Sequence, residues 1–129
     1  MKSILLIEDN DMMRMFLVHF LGQDHQVYAV KTPQEAEEWL KSEPVDIIVS
    51  DYPANPFLVV QIKSLKNAAE NRRIPILMLT DQDKSEQRIH AFQWGAKDCL
   101  SKPFNPVELK MRMQLHFPMM EAMQLAKSA

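Results

Sequence analysis

The chain has 129 residues, 15 basic and 17 acidic, giving a formal net charge of -2, with 47% hydrophobic and 25% charged residues. That size and balance fit one globular domain with a single core; they exclude a largely disordered chain and the broad cationic surface of a domain that grips nucleic acid directly. Cys99 is the one cysteine, so no intrachain disulfide or cysteine zinc site can form, and the absence of a membrane-length apolar run or a signal-peptide core points to a cytoplasmic protein.

Residues 4–7 form an unbroken apolar run that stops at Glu8 and Asp9. A run without alternation fits a strand buried on both faces. Asn10 or Asp11 caps a helix carrying Met12, Met13, Met15, Phe16, Leu17, Phe20 and Leu21, and Gly22 ends it. The ten methionines of the chain lie at helical core spacing and read as adaptable packing. Gln26–Val30 reads as a second strand. Thr32 and Pro33 open a second helix in the favoured order of cap residue then first-turn proline, with Ala36, Trp39 and Leu40 at helical spacing.

After the break at Pro44, residues 45–49 give a third strand ending at Ser50 and Asp51. Pro53 and Pro56 make residues 52–56 a loop. A helix is expected from about residue 57 to 71, with Leu58, Ile62, Leu65 and Ala69 on one face. Residues 74–79 form a fourth apolar strand ending at Thr80, with Pro75 at its start, where a lost donor is tolerated. Asp83 or Ser85 begins a helix that reaches Trp94 and closes at Gly95. A short strand over residues 98–101 ends at Lys102 and Pro103, and a last helix runs from about residue 106 to 117 with Leu109, Met113 and Phe117 facing the core. Pro118 ends or kinks that helix, so the domain is expected over residues 1–118, with residues 119–129 a C-terminal tail or the start of a helical linker.

Five strands alternating with five helices imply right-handed crossovers and a five-stranded parallel sheet with helices on both faces, an α/β fold of three layers. Periodicity leaves the strand order open. In such sheets ligands bind outside the carboxyl ends of the strands, and those ends here carry Glu8 and Asp9, Asp51, Thr80 and Lys102. Three carboxylates converging on one spot repel unless a cation joins them, and oxygen ligands with room for water suit Mg²⁺. A hydroxyl and an ammonium beside the metal neutralise the oxygens of a transferred phosphoryl group. The nucleophile would be a carboxylate, giving an aspartyl phosphate. Taken singly, Glu8 and Asp9 read as a solvated strand end, Thr80 as a helix cap and Lys102 as a surface lysine; their shared register favours a site. His19, His25, His90 and His116 share no metal-ligand spacing and read as surface or core-edge residues. Cys99 reads as a small buried hydrophobe.

The segments Leu5-Leu6-Ile7-Glu8-Asp9, Asp46-Ile47-Ile48-Val49-Ser50-Asp51, Pro75-Ile76-Leu77-Met78-Leu79-Thr80, Gly95-Ala96-Lys97-Asp98 and Lys102-Pro103-Phe104 resemble, in this order and spacing, the receiver (response-regulator) domain family of two-component signalling. The resemblance covers nearly the whole chain. It implies a doubly wound (βα)5, flavodoxin-like sandwich in which Asp51 is the phospho-acceptor. Asp9 would be a direct Mg²⁺ ligand, Glu8 would act through metal-bound water, and the main-chain carbonyl of Pro53 would be a further ligand. Thr80 would follow the phosphoryl group with its hydroxyl, Lys102 would pair with a phosphate oxygen, and the Lys102–Pro103 bond would be cis. The implied donor is a phosphohistidine on a sensor histidine kinase or a histidine phosphotransfer protein, and the phosphorylated state switches contacts with partners or with a C-terminal output domain. Such domains assist their own phosphorylation and dephosphorylation but are not classed as enzymes. In many members of the family the fourth helix, fifth strand and fifth helix form a dimer surface, which here would include His90, Gln93, Lys97, Lys110 and Gln114. No direct nucleic-acid or membrane contact is expected.

Five positions depart from the family pattern. The first is Pro53, which cannot donate a hydrogen bond at the place two after the acceptor where a side chain often influences water attack on the acyl phosphate. Asn55 and Val59 stand where proline and glycine are typical, Asp81 follows Thr80 where a small residue is usual, and Cys99 stands three before Lys102 where an aromatic is common. These departures keep a second reading in view, a receiver-like interaction module that takes no phosphate. A third, a haloacid-dehalogenase-type phosphatase, needs an acid two residues after its nucleophile and the nucleophile on the first strand; here Pro53 holds that position and Asp51 ends the third strand.

Overall fold

The computed structural model describes residues 1–82 and 84–117. Asp83, Pro118 and the tail or linker expected over residues 119–129 lie outside the described residues. Five strands, β1 (Ser3–Ile7), β2 (Gln26–Val30), β3 (Ile47–Asp51), β4 (Ile76–Thr80) and β5 (Asp98–Ser101), alternate with five helices, α1 (Asp11–Leu21), α2 (Pro33–Leu40), α3 (Pro56–Asn71), α4 (Ser85–Gln93) and α5 (Pro106–His116). Every strand pair is parallel, and the order across the sheet is β2-β1-β3-β4-β5. This is the flavodoxin-like doubly wound order, whose switch point, and hence whose ligand crevice, lies between β1 and β3.

The unbroken apolar runs feed two cores at once, because successive strand side chains alternate faces. Ile4 and Leu6 pack with Leu17 and Leu21 of α1 and with Leu109 and Met113 of α5. Leu5 and Ile7 pack on the other face with Ala36 and Leu40 of α2 and with Leu65 and Ala69 of α3. A smaller cluster of Ile62, Met78, Ala91 and Ala96 lies beneath α4. Each fully buried aliphatic side chain contributes about 1.5–3 kcal/mol relative to exposure. No helix among the described residues is long and apolar enough to cross a membrane.

Side chains set where four of the helices start. Asn10, Thr32, Asn55 and Asn105 accept hydrogen bonds from the backbone N–H groups of Met13, Glu35, Leu58 and Val107, satisfying donors the first turn leaves unpaired. Asn55 and Pro56 thus form a cap and first-turn pair, so α3 begins at Pro56 and the unusual loop after Asp51 is a helix start signal. Pro75 lies just before β4, and its carbonyl accepts from the Ile48 N–H. Gly95 has φ +95°, a left-handed conformation that side chains rarely adopt, so the turn into β5 favours glycine; the nearest atom to a Cβ there would be Lys66 Cε at 2.6 Å, on a flexible side chain that can move aside.

The methionines correct the sequence reading. Met12 is 82% exposed and Met111 62% exposed, and Met15 and Phe16 face outward as well. Of the described methionines only Met78 and Met113 are buried. Each helix rests on one face of the sheet, so only the arc of Leu17 and Leu21 in α1, or Leu109 and Met113 in α5, reaches the core.

Candidate functional site

At the carboxyl edge of the sheet, register and short main-chain bonds fix four side chains. Ile7 pairs with Ser50, Asp51 with Leu79 and Thr80 with Ser101. The Lys102 N–H donates to the Thr80 carbonyl at 2.7 Å, which brings the lysine back over the end of β4. Lys102 Nζ donates to Asp51 Oδ1 at 2.6 Å and lies 3.9 Å from Glu8 Oε2. One ammonium therefore stands between two carboxylates. The Lys102–Pro103 peptide bond is cis.

Glu8 is 2% exposed, and its Oε2 has no hydrogen-bond partner. Burial raises its carboxyl above the usual carboxylate range, the negative charge of Asp51 adds to that, and Lys102 opposes it. A buried carboxylate oxygen without a donor, close to a second carboxylate, is an arrangement that a hard cation with oxygen ligands would satisfy. Asp9 is exposed beside it, and no cluster of three or more His, Cys, Asp or Glu side chains suited to a metal forms among the described residues. The groups that the structure brings together are the Glu8 and Asp51 carboxylates with the Lys102 ammonium between them.

Several residues that shape the site carry no sequence signal of their own. Arg14 Nη1 donates to the carbonyls of Glu8 and Asp9 at 3.0 and 3.3 Å, and Nη2 pairs with Asp11 at 2.6 Å, so α1 holds the acidic loop in place. Thr80 is fully buried, with its hydroxyl 3.2 Å from Ser101 Oγ. Asp81, whose charge would oppose a phosphate if it turned inward, is exposed and clamped to α4. Its N–H donates to Gln87 Oε1 at 2.7 Å, and Gln87 Nε2 donates to its Oδ2 at 2.9 Å.

Cys99 is partly buried beneath α4. Burial, with a smaller push from the charge of Asp98, raises its thiol to about 11. The folded state is favoured while the thiol is protonated, an advantage lost as pH rises from the ordinary thiol value through the raised one. At about pH 8 only about one thiol in a thousand is ionised. Alkylation by iodoacetamide at that pH, followed by intact mass, is expected to run about two orders of magnitude slower in folded protein than in urea.

The sequence matches the family described as "Response regulator receiver domain" over residues 4–114. The phosphate regulon transcriptional regulatory protein PhoB of Escherichia coli (strain K12) is 31% identical over 115 residues, which is 88% of this chain and 50% of PhoB. The sensor histidine kinase TmoS of Ectopseudomonas mendocina is 32% identical over 114 residues, 85% of this chain and 11% of TmoS. Chemotaxis protein CheY4 of Vibrio cholerae superposes with a TM-score of 0.79 at 26% identity, covering 90% of this chain and 98% of CheY4. The chain thus spans half of PhoB and about a tenth of TmoS.

Proposed function

Because this chain belongs to the response regulator receiver domain family of two-component signalling, we propose that Asp51 accepts a phosphoryl group from a phosphohistidine and that the acyl phosphate switches the domain's contacts. The observation that carries this reading is the Lys102 ammonium 2.6 Å from Asp51, beside the Glu8 Oε2 that is buried without a hydrogen bond. An Asp51 carboxylate oxygen attacks phosphorus as the phosphorus–nitrogen bond of the donor breaks, and the donor imidazole leaves with its electron pair and takes up a proton. Lys102 passes from the Asp51 carboxylate to a phosphoryl oxygen, and the Thr80 hydroxyl turns from Ser101 to donate to another. Asp9, Asp51 and the Pro53 carbonyl would hold Mg²⁺, with Glu8 acting through water, and the ion would supply further neutralisation of phosphoryl charge.

The partner is a sensor histidine kinase or histidine phosphotransfer protein, and in a longer chain the readout would include an attached output domain. A homodimer through α4, β5 and α5 draws support from the exposed Ile89 and Phe92 on α4 and Met111 and Leu115 on α5. Lys110 is not available to that surface, because it turns toward α1. It pairs with Asp24 at 2.7 Å and sits 4.1 Å over the Phe20 ring.

Incubation with acetyl phosphate and Mg²⁺ tests the reading. Intact mass is expected to show one added phosphoryl group in wild type and none in Asp51→Asn or without Mg²⁺. A domain that binds partners without taking phosphate would show no addition in any sample. Mg²⁺ alone is expected to stabilise the fold by about 2.7 kcal/mol when free metal is about 100 times its dissociation constant. In thermal unfolding, Asp9→Asn should lose most of that gain; an undiminished gain would remove Asp9 from the ligand set.

A further inference from the structure

Helix α4 is the most lightly held of the five helices. Among the described residues, no side chain caps its first turn and Ala91 is its single buried residue, whereas each other helix has a side-chain cap and at least two buried residues. Two ties secure it to the strand ends that flank Asp51. From the end of β4 comes the Asp81–Gln87 clamp. From the end of β3 comes Tyr52, the residue after Asp51, whose hydroxyl lies 3.1 Å from His90 Nδ1. Both rings close on Trp94, with centroids 5.5 Å from Tyr52 and 5.6 Å from His90. Gln87, His90 and Trp94 are spaced three and four apart, so they share one face of the helix.

The Tyr52 N–H donates to the Leu79 carbonyl at 2.9 Å, which continues the β3–β4 pairing one residue past the acceptor. A shift of the Asp51 main chain is therefore passed across one peptide bond to a ring that ends on α4. Cys99 packs in the same cluster as Tyr52 and Trp94 but has neither ring nor hydroxyl with which to reach the helix. On an element held by so few contacts, one hydrogen bond is enough to change a two-state population severalfold.

We propose that Tyr52 and His90 couple the phosphorylation state of Asp51 to the position of helix α4, with Trp94 as a built-in reporter. The proposal rests on the reading of Asp51 as phospho-acceptor, and one experiment separates the two. In Trp39→Phe protein, Trp94 is the remaining tryptophan of the two in the chain. Its emission is followed after addition of Mg²⁺ and acetyl phosphate, and the same samples are weighed by intact mass. Emission is expected to change in step with phosphate. Tyr52→Phe and His90→Phe, which keep the rings and lose the hydrogen bond, should retain the phosphate and shrink the change about twofold or more. Full phosphorylation with no change at Trp94, or with an equal change in both variants, overturns the coupling and leaves the acceptor reading standing. No phosphate on the Trp39→Phe parent overturns both.

Discussion

Replacing Lys102 by alanine is expected to slow phosphorylation of Asp51 by about 10²–10³-fold, the usual cost of losing one group aimed at developing oxyanion charge. Lys102 is the cation that the fold brings to Asp51, at 2.6 Å, and it also stands 3.9 Å from Glu8. Without it, the attacking carboxylate loses its orienting partner, the phosphoryl oxygens lose their ammonium, and the repulsion between Asp51 and buried Glu8 is no longer offset. The fold itself should survive, because Lys102 lies beyond the end of β5 and outside the packed clusters. A time course of intact mass with acetyl phosphate and Mg²⁺, beside far-ultraviolet circular dichroism, separates the two effects. Lys97→Ala, an exposed lysine on the turn into β5, is the control and should phosphorylate at the wild-type rate. Equal rates in Lys102→Ala and wild type would remove the lysine from the chemistry.

Leu6→Ala is expected to lower the unfolding free energy by about 2–5 kcal/mol, measured by urea denaturation. Leu6 is fully buried on β1, in one cluster with Leu17 and Leu21 of α1 and Met113 of α5, so its truncation leaves a cavity that β1, α1 and α5 cannot close together. Met12→Ala, on the outer arc of α1, should change stability by no more than about 0.5 kcal/mol. A large loss at Met12, or a small one at Leu6, would contradict the packing described.

The contrast between those two residues marks the limit of what hydrophobic patterning encodes. β1, β3 and β4 are legible because unbroken apolar runs end abruptly at Glu8, Asp51 and Thr80, and a strand buried on both faces has that pattern. The pattern alone therefore places Glu8, Asp51 and Thr80 at one edge of the sheet. Helix α1 is apolar around much of its circumference, so periodicity cannot say which arc meets the sheet, and Met12 and Met15 are misassigned to the core. Strand order is likewise invisible, since periodicity identifies faces and not neighbours. Arg14, Ser101, Gln87 and the Tyr52–His90 pair go unseen for the same reason: each matters only through the element that lies beside it. Asn55 and Pro56 carry a cap and first-turn signal that the family's usual loop pattern obscures.

The most direct test locates the phosphate chemically. Protein treated with acetyl phosphate and Mg²⁺ is reduced with borohydride, which converts an aspartyl phosphate to homoserine, and its peptides are sequenced by mass spectrometry. Homoserine at position 51 alone is the result predicted. Homoserine at Asp9 or Asp81, or none in protein that remains folded, would contradict the assignment of Asp51 as phospho-acceptor.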